Sequence, residues 1–330
     1  MDDHGNLCRF DLIRRRLLVG VGGVLALGLG GAGATAQDQF PSKTIELISH
    51  ASPGGGTDVT ARAWMSAAEE ILGEDIVIVY KQGGAARAAH EYFMGQPSDG
   101  HTVMALTQTH LYTLARGNSP MEIDDMLGLV RAMDDPSLIV VRADSDIETY
   151  EDLIEASKEQ PLNWGVAQVG GTEHIGIARW AERAGIEYRV VPFGSGGEML
   201  TALRSGAIDA TVPNVSEAKG LVEEGEVRPL AVMDEERLED FPDLPTTYEK
   251  GHETKVTTTR GYAVRADTPP EIVEKLESAL LEAMKSETFA EYLRNSGLDP
   301  EDSVAGSEQW DAQLKEEHDA AKEVIERLGL

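Results

Sequence analysis

Cysteine is almost missing from this 330-residue chain: the only one is Cys8. It lies in a segment read below as removable. The rest of the chain therefore has no disulfide and no thiol chemistry. Basic residues are scarce, 29 against 58 acidic ones. So negative a surface repels nucleic acid and anionic lipid, which excludes both as partners. Aromatic residues make up only 5% of the chain. Trp64 and Trp180 fall within helical patterns and are expected in the core rather than as stacking platforms. After residue 36 no apolar run is long enough to span a bilayer.

The standard catalytic signatures are missing too. There is no G-x-x-x-x-G-K-S/T and no H-E-x-x-H. The turn at Gly194 fails G-x-G-x-x-G because Met199 holds the last position, and Ser195 fails G-x-S-x-G because Phe193 holds the first. His90, His101 and His110 show no metal-ligand spacing, so no metal and no cofactor is expected. The acidic residues read as a solvated face, with no carboxylate pair set apart for acid–base work.

What remains is 41% apolar residues, enough for a globular chain with sizeable cores. The start has a separate character. Arg14, Arg15 and Arg16 precede a Gly-rich apolar run over 17–33, and Ala34-Thr35-Ala36 forms an A-x-A cleavage site. Residues 1–36 are expected to be an export signal of the twin-arginine kind, with Gln37 first in the mature chain. Seventeen residues with seven glycines would span a bilayer poorly. The first 36 residues carry four Arg and three Asp, so removing them leaves 25 basic and 55 acidic residues, a net −30. In roughly 1 M salt the Debye length is about 3 Å, so that field would hardly reach a pocket. The acidity fits a salty exterior.

From residue 44 onward the chain alternates strand, turn and helix. Strands are expected over 44–49, 76–80, 102–107, 138–141, 163–168, 187–193, 207–213, 227–233 and 260–265. Helices are expected over 58–72, 85–94, 149–158, 172–184, 197–205, 216–224, 268–285, 289–295 and 307–328. This rhythm predicts βαβ units and mainly parallel sheets, too many strands for one small sheet, and hence two α/β lobes. The Pro-rich loop 241–245 is a candidate crossing between them.

Three turns share one design: strand, glycines, then a helix beginning at Ser or Thr. They are Ser52-Pro53-Gly54-Gly55-Gly56-Thr57-Asp58, Gly170-Gly171-Thr172 and Gly194-Ser195-Gly196-Gly197-Glu198. The first N–H groups of a helix have no internal partner, and the dipole makes that end partly positive. Glycine lets a ligand touch the backbone. Such ends bind carboxylate or phosphate without needing Arg or Lys, and in open α/β sheets they lie where ligands bind. Gln108 and Asn214, just beyond strands, are expected to face the same cleft. His174 reads as a structural residue near a cap. Paired with Ser195 it supports a rival reading, an extracellular hydrolase.

The order of motifs resembles the Bug-type receptors, the substrate-binding proteins of tripartite tricarboxylate transporters. Phe40-Pro41-Ser42-Lys43-Thr44-Ile45 and Pro53-Gly54-Gly55-Gly56-Thr57-Asp58 resemble the family's opening. Gln82-Gly83-Gly84, Ser98-Asp99-Gly100-His101-Thr102, Val191-Pro192-Phe193-Gly194-Ser195-Gly196 and Ser205-Gly206-Ala207-Ile208-Asp209 continue it, as do Leu244-Pro245-Thr246, Arg260-Gly261-Tyr262 and Thr268-Pro269. The match runs through nearly the whole mature chain. It departs at Ala86-Arg87-Ala88, where more glycine is usual, and at 168–174, where a Ser-rich turn is usual.

The resemblance implies a two-lobed periplasmic-binding-protein type II fold with a hinge, lobe 1 from 37–137 and 251–330 and lobe 2 from 138–250. It implies a non-enzymatic, periplasmic or extracytoplasmic, monomeric receptor for a small organic anion, a mono-, di- or tricarboxylate. Its partners would be one large and one small membrane subunit. A ligand sensor for a signalling system would use the same closed form. Carried over by position, ligand contacts fall on Ser52, Gly55, Gly56, Thr57, Asp58, Gly171, Thr172, Ser195 and Gly196. Asp58 would orient its loop rather than touch an anion, because a bare carboxylate repels one.

Overall fold

The computed structural model describes residues 40–329; the expected export signal lies outside them. The elements run β1 (Ile45–Ser49), α1 (Gly56–Leu72), β2 (Ile76–Tyr80), α2 (Arg87–Met94), β3 (Thr102–Leu106), α3 (Gln108–Ala115), β4 (Met126–Pro136) and β5 (Leu138–Arg142). They continue with α4 (Tyr150–Glu159), β6 (Leu162–Val166), α5 (Thr172–Ala184), β7 (Tyr188–Pro192), α6 (Gly196–Arg204), β8 (Ala210–Thr211), α7 (Val215–Glu223) and β9 (Val227–Val232). The chain ends with β10 (Thr257–Arg265), α8 (Pro270–Ala283), α9 (Glu287–Asn295), α10 (Pro300–Ser303) and α11 (Ser307–Leu328).

The strands form two five-stranded sheets, ordered β2-β1-β3-β10-β4 and β7-β6-β8-β5-β9. In each sheet one strand, β10 or β5, runs antiparallel to the other four. Both sheets are thus mixed, with four of five strands running the same way. The odd strand, β10 or β5, is the one that arrives from the other half, and it arrives running backwards. Both sheets use one topology, so the helices that follow their parallel strands start at corresponding places.

Each sheet buries both faces, and alternation along the strands assigns them. In the first, Leu47, Val103 and Ala105 join Trp64, Leu276 and Phe289 on one side. Ile48, Met104 and Leu106 join Phe93, Leu111 and Trp310 on the other. In the second, Ile139 and Val141 face Trp164 and Trp180, while Leu138 and Val140 face Leu203 and Val215. Trp64 and Trp180 are core residues, as expected. Each indole satisfies its N–H on a tyrosine hydroxyl at 2.7 Å, Tyr262 for Trp64 and Tyr150 for Trp180.

The two halves are joined by paired backbone. β4 passes through Ser137 straight into β5. The Ser137 N–H donates to Val256 (3.0 Å), Met233 N–H to Ser137 (2.8 Å) and Val256 N–H to Met233 (2.9 Å). Loop 241–245 does not make the crossing. Phe241 and Leu244 pack on the second core, and Pro245 accepts from the Val232 N–H. Its prolines mark a loop that folds back, and apolar burial keeps it with its own sheet.

Sequence patterns missed β4, which carries Gly128 and two aspartates, and α3, whose polar QTHLYTLA lacks an apolar stripe. The helix expected from 85 begins at Arg87. Gly83, Gly84, Ala85 and Ala86 all have positive φ (122°, 61°, 49° and 76°), so Ala85 and Ala86 hold a conformation that favours glycine.

Behind the first sheet's carboxyl ends lie three buried histidines. The His50 and His110 ring centroids are 4.4 Å apart, and those of His90 and His110 5.1 Å apart. Burial pushes His50 down to about 3 and His90 down to about 4, and holds His110 well below the ordinary histidine value. All three are neutral in the folded protein. The unfolded chain binds more protons below about pH 6.5, so stability is full above that value and is lost as pH falls towards 4. The expected slope is about 1.4 kcal/mol per pH unit for each histidine. Chemical denaturation between pH 7 and 4.5 should show it, with a shallower decline in His90→Gln. Equal slopes in the two proteins would contradict this reading.

Candidate functional site

The first candidate turn leaves β1 and enters α1, where Gly55 is the cap and has no side chain to satisfy the helix start. Asp58 holds this turn from inside the helix. It accepts from the Gly54 N–H at 2.8 Å, the Tyr80 hydroxyl at 2.6 Å and Arg62 at 3.1 Å. Burial opposes its charge, but these donors outweigh burial and keep the carboxyl below its usual range. Asp58 therefore shapes the loop. Ser52 is held by Gln82 Nε2, which donates to its Oγ at 2.9 Å.

The other two turns begin α5 and α6. Gly171 caps α5 without a side chain. Ser195 caps α6 and accepts from the Glu198 N–H at 3.4 Å. The three turns come together although they lie in different halves. A Cβ built on Gly55 would stand 2.8 Å from Ser195 Cβ. The Ser52 N–H donates to the Gly194 carbonyl at 3.3 Å. Thr109 Oγ1 takes the Thr172 N–H at 3.2 Å. The glycines are what permit this approach.

Two further helix starts join them. Asn214 caps α7, donates to the Asp135 carbonyl at 2.8 Å and accepts from Arg260 Nη2 at 3.0 Å. Thr107 precedes α3, and its N–H donates to His110 Nδ1 at 3.2 Å. The result is a cavity of about 40 Å³ lined by Gly55, Gly56, Thr57, Thr172, Ser195, Gly196 and Asn214 among others. It shares His50, Ala167, Gln168 and Gly194 with an outer cavity of about 540 Å³, whose wall includes Gln82, Arg116 and His174.

Gln108 does not face this space. Its side chain accepts from the Thr259 N–H at 2.9 Å and donates to Glu317 at 3.1 Å, tying α3 to β10 and α11. It lines a separate pocket with Tyr112 and Arg179.

The site also holds charges that the motifs did not reveal. Arg260 lies almost fully buried on β10, paired with Asp135 at 2.5 Å. Burial works against its charge, but Asp135 and Glu217 more than offset that and hold it cationic. Arg260 thus brings a cation to the cavity wall, already paired with its own counter-ion. Arg260 was hidden because it was read only as part of a hinge strand.

Glu173 and Glu217 line the inner cavity as well. Burial pushes Glu173 up to about 7, and the nearby Glu217 charge adds to the shift. Burial also raises Glu217, against the pull of Arg260. Both had been read as solvated acid. Only their positions at the first turns of α5 and α7 could have flagged them.

No catalytic pair forms. His174 Nδ1 is occupied by the Gly170 N–H at 2.8 Å, Ser195 caps α6, and the two residues line different cavities. His174 and Ser195 are each committed to a helix start instead.

The chain belongs to the tripartite tricarboxylate transporter family receptors, TctC, whose family pattern matches residues 60–330. A UPF0065 protein of Bordetella pertussis is 28% identical over 300 residues, 88% of this chain and 90% of that one. Protein BugT of the same species is 25% identical, covering 86% of this chain and 89% of BugT. Among solved structures, a TctC solute-binding protein from Polaromonas is 28% identical with a TM-score of 0.65, covering 87% of this chain and 99% of that one. An R. palustris protein solved with adipate is 25% identical with a TM-score of 0.80, covering 88% and 98%.

The Glu173 carboxyl gives the site a pH dependence. Around it stand Glu217 on α7, Arg260 on β10 with its partner Asp135, and His50, which stays neutral to about pH 3. Between pH 8 and 6 Glu173 takes up a proton, which removes negative charge from the wall. Affinity for a dicarboxylate should rise by up to about tenfold over that interval, one pKa unit being a factor of ten. Titration calorimetry at both pH values would show it, with the rise reduced in Glu173→Gln. An affinity that falls over the same interval would refute the assignment.

Proposed function

We propose that this chain is an extracytoplasmic receptor that captures a small organic anion between its two lobes and delivers it to a tripartite transporter. The single observation that carries the reading is the convergence of α1 from one half with α5, α6 and α7 from the other on one cavity. Helix-start amides on both sides make anion capture and lobe closure one event. The related structure solved with adipate supports a carboxylate as the ligand.

The rest of the reading follows from the sequence. Residues 1–36 act as a cleavable twin-arginine export signal, placing the mature chain in the periplasm. Its partners are one large and one small membrane subunit, which read the closed form. Lobe 1 comprises 37–137 and 251–330, and lobe 2 comprises 138–250. The receptor works as a monomer. The net −30 surface suits a saline exterior, where screening leaves the local helix-start field to decide binding. A sensing role would rest on the same capture. The transport reading is favoured by the family to which the chain belongs.

The test is titration calorimetry of the mature chain against a panel of mono-, di- and tricarboxylates, in low salt and in about 1 M salt. At least one acid should bind, and should bind no more weakly in high salt, because the screened repulsion exceeds the screened local attraction. A folded protein that binds none of the panel would overturn the receptor assignment. Binding that collapses in molar salt would overturn the saline one.

A further inference from the structure

One feature of the cleft is unusual for an anion site: the protein has placed its own carboxylate there. Glu217 reaches across from α7, and its Oε1 accepts the Gly56 N–H of α1 at 3.1 Å. Its Oε2 takes the Asn214 N–H at 3.4 Å and fills the space over Gly196, where a built Cβ would lie 2.1 Å from it. Glu173 lines the same cavity. Against these two acids stands one guanidinium, Arg260, which already has Asp135 as its counter-ion. Arg116, the other cation nearby, lines the outer cavity and spends its Nη1 on the Gly170 carbonyl at 2.7 Å.

A ligand carboxylate that takes the Gly56 amide must displace Glu217 from it. The displaced carboxylate, partly buried, would then lack its donor, which is costly unless something replaces that donor. The cavity wall also holds polar atoms awaiting partners. Arg260 Nε, Thr258 Oγ1 and His50 Nδ1 are buried and unpaired, on residues 3%, 6% and 4% exposed. The site is therefore furnished with acceptors as well as donors, and its net charge is negative.

We propose that the preferred ligand carries a protonated amine beside its carboxylate. The carboxylate takes the helix-start amides. The ammonium takes Glu217, with Glu173 behind it, and replaces the donor that Glu217 gave up. Glu217 is then the residue that sets specificity between zwitterionic acids and plain diacids. The proposal rests on the receptor reading above and narrows its ligand class.

The experiment titrates matched acids that differ only in the amino group, succinate against aspartate and glutarate against glutamate, into the mature chain at pH 7.5. The amino member of a pair should bind at least tenfold more tightly. Glu217→Gln keeps an oxygen for the Gly56 amide but loses the charge, so the ratio should fall to within about threefold. A thermal melt checks that this variant folds, and if it does not, the wild-type ratio decides alone. Diacids that bind as tightly as their amino partners would overturn this inference and leave the receptor reading standing. An amino preference unchanged in folded Glu217→Gln would overturn the role given to Glu217. Binding of neither kind of acid would count against the receptor reading itself.

Discussion

Helix starts expose N–H groups that the helix cannot satisfy, and this molecule aims five of them at one small space. α1 and α3 come from the first sheet's side, and α5, α6 and α7 from the second. Each follows a strand at its carboxyl end. The arrangement requires both sheets to share one strand order, so that corresponding turns meet across the cleft. It also requires a residue without a side chain where turns touch, which is why Gly55 lies against Ser195 and Gly56 beside Arg260 and Glu217.

The helix-start amides draw acceptors to the site. Glu217 supplies the carboxylate that meets the Gly56 amide. Arg260 anchors the floor from β10, held by Asp135 of β4 and by Asn214 at the start of α7. One buried guanidinium thus bonds to the long strand that leads into the second half and to a helix of that half. It ties the crossing between the halves to the cavity wall. A buried ion pair is a poor source of stability in itself. Here it fixes how three segments meet.

Much of the fold was legible because local signals agreed. β-branched runs such as 76–80 gave strands, Gly73 and Gly185 closed helices in the left-handed conformation, and the turns at 52–58 and 194–198 announced helix starts. The two mixed sheets were harder. Strand direction for β5 and β10 depends on which half the chain has just left, and no local pattern records that. β4 escaped because Asp134 and Asp135 interrupt its apolar run, although Asp135 is there to meet Arg260. The site was legible where backbone made it and hidden where long-range side-chain contacts did. Ser195, Gly196 and Asn214 could be placed from their turns. Gln108 could not be, because its partners Thr259 and Glu317 lie 151 and 209 residues away. The same distance concealed Glu217 and Arg260, which read as a surface acid and a hinge residue.

The account stands on amides from both halves holding one carboxylate. A crystal structure of the mature chain with adipate bound tests it most directly. The account predicts one carboxylate group with oxygens within about 3.2 Å of backbone nitrogens from both α1 and α6, and Glu217 moved off Gly56. Adipate held only by Arg116 in the outer cavity, with Glu217 still on the Gly56 amide, would contradict it.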